Sequence, residues 1–160
     1  MENLNLLLKR LLDSRLDFVL IGGYAAVVHG SSQVTHDLDI CAVVTESELE
    51  KLKIALKDLN PKHRMNKNFQ PSLDELPKKG QRLDNYYLKT NSGVLDIISS
   101  VNPVGSFEDI KKNAIEIKIF DHTCKVISME DLIKVKQAMT RDKDKIVLNE
   151  LLALKKRIQD

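Results

Sequence analysis

The chain has 160 residues, of which 42% are hydrophobic and 30% charged, with a formal net charge of +2. That length suits one domain with its own core and excludes two ordinary domains, and the composition excludes wholesale disorder. No apolar run approaches the roughly 18 residues that a membrane span needs, and two cysteines are too few for a disulfide framework or a cysteine zinc site.

Leu4, Leu7, Leu8, Leu11 and Leu12 recur at helical spacing and predict an opening amphipathic helix. Lys9, Arg10 and Asp13 interrupt this segment, so it does not read as a secretory leader, and the expected compartment is the cytoplasm. The apolar run from Phe18 to Ile21 ends in Gly22-Gly23, a buried strand followed by a tight turn, and Tyr24 to His29 forms a short helix closed by Gly30. Leu38 to Val44 is rich in β-formers. Thr45-x-x-Glu48 then has capping-box form ahead of a stripe of Leu49, Leu52, Leu56 and Leu59.

Residues 60–82 break the pattern. Pro61, Pro71, Pro77 and Gly80 punctuate a polar, basic stretch that reads most simply as a solvated loop. Arg82 to Lys89 and Val94 to Ser99 predict two strands joined at Asn91-Ser92-Gly93. Ser106-x-x-Asp109 caps a short helix, and Ile115 to Phe120 with Thr123 to Ile127 form a hairpin around Asp121-His122. Ser128-x-x-Asp131 opens a further helix with Met129, Leu132, Ile133 and Met139 on one side. A last helix starts near Asp142 and buries Val147, Leu151, Leu154 and Ile158. The expected architecture is α/β (α+β): a single domain spanning residues 1–160 with a mixed sheet flanked by helices. Its core lies at about residues 17–127 and its C-terminal helices at about 128–158.

Charge is unevenly distributed. Residues 1–49 hold three basic and seven acidic groups, whereas residues 50–82 hold nine basic and four acidic. An acidic cation site facing a polyanion has this pattern, and so does chance scatter on a small surface.

The informative segment is Thr35-His36-Asp37-Leu38-Asp39-Ile40. Side chains alternate along a strand, so Asp37 and Asp39 project to one face. Two carboxylates about 4 Å apart repel by about 4 kcal/mol at an effective dielectric of 20. Such a pair is stable with a cation between its members or with one member protonated, and all-oxygen ligands favour Mg2+ or Mn2+. Asp96 stands alone in the apolar strand Val94-Leu95-Asp96-Ile97-Ile98, where a lone acid needs a partner. If the two strands are neighbours, the three acids form a triad suited to two-metal phosphoryl or nucleotidyl transfer. Asp96 pointing away from the other two, or a salt bridge filling that spot, ends the argument for the chemistry and leaves only the fold.

Gly22-Gly23 at a strand end either serves as a plain structural turn or presents N–H groups to phosphate oxygens. Lys136 falls within the apolar stripe of its own helix, where a lysine snorkels outward or meets an anion. Arg141, Asp142, Lys143 and Asp144 follow, as ion pairs and caps or as site residues.

At these positions the chain resembles the nucleotidyltransferase superfamily with the DNA polymerase β-type fold. The pattern is Ile21-Gly22-Gly23, a thirteen-residue spacer, then Asp37-Leu38-Asp39-Ile40, with Asp96 as the later lone acid. Within the superfamily it is most similar to the small bacterial AbiEii-like proteins. The shared positions there are His29-Gly30, Thr35, Asp37 and Asp39, with Asp131-Leu132-Ile133, Lys136, Arg141, Lys143-Asp144 and Leu151 in the C-terminal segment.

The resemblance implies transfer of a nucleoside monophosphate from an NTP to an acceptor hydroxyl, with Asp37, Asp39 and Asp96 as the catalytic, metal-binding acids. It implies nucleotide contacts from Gly22, Gly23, Thr35, Lys136 and Arg141. Gln33 stands where many relatives carry arginine, which removes one phosphate contact. The implied acceptors are tRNA or other RNA, a protein, or a small molecule. The implied partner, for a toxin-like member, is an antitoxin protein. The alternative reading is an inactive nucleotidyltransferase-like fold that binds nucleotide or a partner chain without turnover.

Overall fold

The computed structural model describes residues 2–159. Helix α1 (Leu4–Asp13) starts where the Asn3 side chain accepts the Leu6 N–H, and five of its six leucines are buried. Strand β1 (Val19–Ile21) runs directly into α2 (Gly22–Val28), so the glycine pair begins the helix rather than preceding it. Strand β2 (Asp37–Cys41) leads to α3 (Glu46–Leu56), capped by the Thr45 hydroxyl accepting the Glu48 N–H. The Glu48 carboxylate accepts the Asp17 N–H at 2.8 Å instead of closing the box.

Next come β3 (Lys62–His63), β4 (Tyr86–Thr90), β5 (Gly93–Ile98) and a small ribbon of β6 (Ser100–Val101) and β7 (Gly105–Ser106). A reciprocal Ser106–Asp109 capping box starts α4 (Phe107–Asn113). The hairpin of β8 (Ile115–Ile119) and β9 (His122–Val126) turns at Phe120 and Asp121, both with positive φ. Helix α5 (Met129–Ala138), capped by Ser128, and α6 (Asp142–Gln159) complete the chain.

Among the described residues, seven strands form one mixed sheet in the order β3-β4-β5-β2-β1-β9-β8. Strands β2 and β5 are parallel neighbours, as are β1 and β9, and the other pairs are antiparallel. Register sorts the two faces. Leu38, Ile40, Leu95, Ile97, Leu88 and Tyr86 are buried on the face where α1 and α3 pack. Asp37, Asp39, Asp96 and Tyr87 alternate onto the other face. Burying one face against leucine-rich helices fixes the register, because a one-residue slip would drive the acids into the core. Cys41 and Cys124 are free, buried thiols, and burial pushes Cys41 up to about 12.

The structure corrects several expectations. Residues 60–82 are a folded excursion rather than a solvated loop. The His63 N–H donates to the Pro71 carbonyl at 2.8 Å, and Leu73 is buried. His63 is also buried, with its Nε2 2.8 Å from the Leu76 carbonyl. Pro71 and Pro77 are buried as well, so four anchors hold a stretch that composition alone reads as solvated. The strand expected from Arg82 starts only at Tyr86. Met139 lies past the end of α5, and Ile158 is 77% exposed, because α6 extends beyond the body it packs on. Among the described residues no helix is long and apolar enough to cross a membrane.

Candidate active site

The register of four strands builds the site. Asp39 on β2 pairs with Ile21 on one side and with Asp96 of β5 on the other. Asp96 in turn faces Tyr87 of β4. The Arg64 N–H donates to the Tyr87 carbonyl at 2.8 Å, which continues the β3–β4 pairing by one residue. Arg64, Tyr87, Asp96 and Asp39 thus form one row across the sheet. Neighbouring strands lie about 4.7–4.9 Å apart, so the two acids are close neighbours, and like charges so placed repel. Asp37, two residues before Asp39, is exposed on the same face.

Electrostatics report the crowding. Burial, then the Asp96 and Asp37 carboxylates, push Asp39 up to about 6, and Lys136 and Arg64 only partly offset this. Burial also raises Asp96, against the hydrogen bond and charge of Arg64. Among the described residues, the ion pair from the Arg64 Nη2 to the Asp96 Oδ1 is the one direct cation contact to these three acids. This is the kind of salt bridge that counts against a free triad. No three His, Cys, Asp or Glu side chains among the described residues are gathered into a ready-made ion site.

The glycines fit the site sterically. Gly22 has φ +69, and a Cβ there would lie 2.9 Å from the Asp39 Cβ, with the carboxylate closer still. Only glycine meets both conditions. A Cβ at Gly23 would sit 2.7 Å from the Thr35 Oγ1. The Thr35 hydroxyl donates to the Asp37 carbonyl at 3.1 Å, so Thr35 acts on β2 through its backbone and not through the Asp37 carboxylate.

A cleft of about 320 Å³ opens beside the row. Gly22, Asp39, Asp96 and Lys136 supply its polar wall, and Ile98, Val135 and Met139 are among its apolar lining. Lys136 is buried and donates to the Asp144 Oδ1 at 3.1 Å. Asp144 is fully buried and also accepts from the Arg141 Nε at 2.8 Å, which holds its carboxyl below the usual range. The expected Lys136 therefore reaches the cleft, whereas Arg141 is largely exposed and engaged with Asp144 outside the cleft lining. His29 serves the fold, with its Nε2 2.7 Å from the Ile127 carbonyl.

The sheet brings Asp37, Asp39, Asp96, Gly22 and Lys136 to one place. Sequence reasoning misses Arg64 and Tyr87. Arg64 sits in a stretch whose composition reads as solvated, and only strand register places it beside Asp96.

In donor type, though not as a gathered set of three, the acids suit a hard divalent cation. They offer carboxylate oxygens alone, and their mutual repulsion is what an added positive charge relieves. The Arg64–Asp96 pair takes up one of these donors, and with side chains 35% and 20% exposed it is a partly buried pair that a cation at Asp96 has to displace.

No protein-family profile and no curated protein sequence matches the chain. Solved structures do. The lincosamide antibiotic adenylyltransferase LnuA, bound to lincomycin, aligns with a TM-score of 0.64 at 20% identity, covering 94% of this chain and 95% of that one. A Thermotoga maritima protein assigned to the nucleotidyltransferases aligns with a TM-score of 0.56 at 14% identity, covering 96% of each chain. ANT(2'')-Ia in complex with adenylyl-2''-tobramycin gives 0.55 at 11% identity, covering 98% and 94%. This chain has the nucleotidyltransferase fold.

Proposed function

We propose that this chain is a nucleotidyltransferase that moves a nucleoside monophosphate from an NTP to the hydroxyl of a small-molecule acceptor. The observation that carries the reading is the cross-strand pairing of Asp39 with Asp96, with Asp37 on the same face and Gly22 packed beneath Asp39. The likeness to LnuA, a lincosamide antibiotic adenylyltransferase, and to ANT(2'')-Ia, solved with adenylyl-2''-tobramycin, supports a small-molecule acceptor.

In this reading Asp37, Asp39 and Asp96 hold Mg2+ or Mn2+. The ion supplies charge neutralisation at the phosphates and acidifies the acceptor hydroxyl. The chain's own groups do the rest. The acceptor oxygen bonds to the α-phosphorus, the α–β phosphoanhydride bond breaks, and pyrophosphate leaves. Asp96 takes the hydroxyl proton. The absence of a side chain at Gly22 leaves room for the Asp39 carboxylate itself. Lys136 adds positive charge at the cleft wall, and its link to Asp144 fixes its position. The apolar wall orients the base or the body of the acceptor and excludes water.

The test is transfer of α-labelled NTPs with Mg2+ to a panel of hydroxyl compounds, including lincosamides and aminoglycosides, beside tRNA and protein. The expected result is a labelled small molecule with pyrophosphate release, lost in Asp39→Ala. Label on tRNA, with growth arrest relieved by Asp39→Ala or by an antitoxin, would replace this reading with the AbiEii-like toxin. Metal-dependent NTP binding without pyrophosphate release would replace it with a nucleotide-binding module, the reading that the Arg64–Asp96 pair favours.

A further inference from the structure

The carboxylate row ends in a cation that the proposed reaction does not use. Arg64 belongs to the folded excursion of residues 60–82, and the backbone bond from its N–H to Tyr87 sets it level with Asp96. Its chain neighbour His63 is buried and tied to Leu76, so the backbone that carries Arg64 is anchored. The guanidinium reaches along the row past Tyr87 to Asp96. Both partners keep partial solvent access, so the contact is exchangeable. A fixed positive charge at one end of a carboxylate cluster does two things. It lowers the self-repulsion of the empty cluster, and it opposes a second cation at the same oxygens.

We infer that Arg64 is the resident counter-ion of this site: it holds Asp96 in the empty protein and is displaced when a divalent cation binds. The inference rests on the metal reading proposed above. It makes Arg64 a positioning residue that acts through Asp96. Structural pairing alone accounts for the ion pair as well, but it gives no reason for the bridge to break when metal is added.

The experiment titrates Mn2+ alone into the full chain and into Arg64→Gln and Arg64→Met, by calorimetry, with folding of each checked by thermal melting. Loss of both the competitor and its charge is expected to tighten Mn2+ binding on the order of tenfold. Binding equal to or weaker than that of the parent would overturn the inference and leave the metal reading standing. No Mn2+ binding by any of the three proteins would overturn both. A second measurement needs no variant. In the parent chain, saturating Mg2+ is expected to speed exchange of the Arg64 side-chain Nη–H protons, followed by NMR, because the carboxylate that protects them is taken. Unchanged exchange at saturating Mg2+ would overturn the displacement.

Discussion

Replacing Asp39 by asparagine removes the charge that the fold tolerates least. The Asp39 carboxyl is raised from an ordinary 3.8 to about 6, first by burial and then by Asp96 and Asp37. Linkage gives the sign. A carboxyl that binds its proton more tightly in the folded state makes the fold less stable as pH rises from about 4 to 6, after which the penalty is constant. Its full size at neutral pH is about 3 kcal/mol. A half-buried amide keeps part of the desolvation penalty, so the expected net gain for Asp39→Asn is about 2 kcal/mol, or about 4–8 °C in Tm for a domain of this size. The assay is urea and thermal unfolding of both proteins in EDTA at pH 4 and pH 7. The variant should be clearly more stable at pH 7, nearly equal at pH 4, and inactive. Saturating Mg2+ should raise the Tm of the parent but not of the variant, because only the parent keeps the full ligand set. A variant no more stable than its parent at pH 7, or one with the same gain at pH 4, would refute the claim that a buried charge among like charges strains this site.

Other substitutions probe the remaining parts. Gly22→Ala should lower stability by at least about 1–2 kcal/mol through its left-handed backbone alone, and should abolish transfer by displacing Asp39; a melt and a transfer assay report both. Asp144→Ala leaves Lys136 buried without its partner and should destabilise by about 3–5 kcal/mol near neutral pH. The Asp144 carboxyl is held below its ordinary range, so its contribution is present above about pH 4 and lost as the solution is acidified through the folded-state value; denaturant melts down to pH 3 should show the difference between parent and variant shrink. Ser106→Ala removes a capping box outside the cleft lining and should reduce stability by about 1 kcal/mol with transfer unchanged, measured side by side.

Much of this protein is determined by sequence-local physics. The leucine spacing of α1, the caps at Thr45, Ser106 and Ser128, and the β8–β9 turn depend on neighbours a few residues away, so they are legible without coordinates. The alternation that sets Asp37 and Asp39 on one face is equally local. What lies outside local reach is which strands become neighbours. The adjacency of β2 and β5 turns Asp39 and Asp96, 57 positions apart in sequence, into a cross-strand pair. The edge pairing of β3 with β4 carries Arg64 to the end of the same row, out of a segment whose composition reads as solvent-facing. Periodicity specifies which way a side chain points from its own strand; only the packing of distant strands against a shared apolar face decides what it meets there.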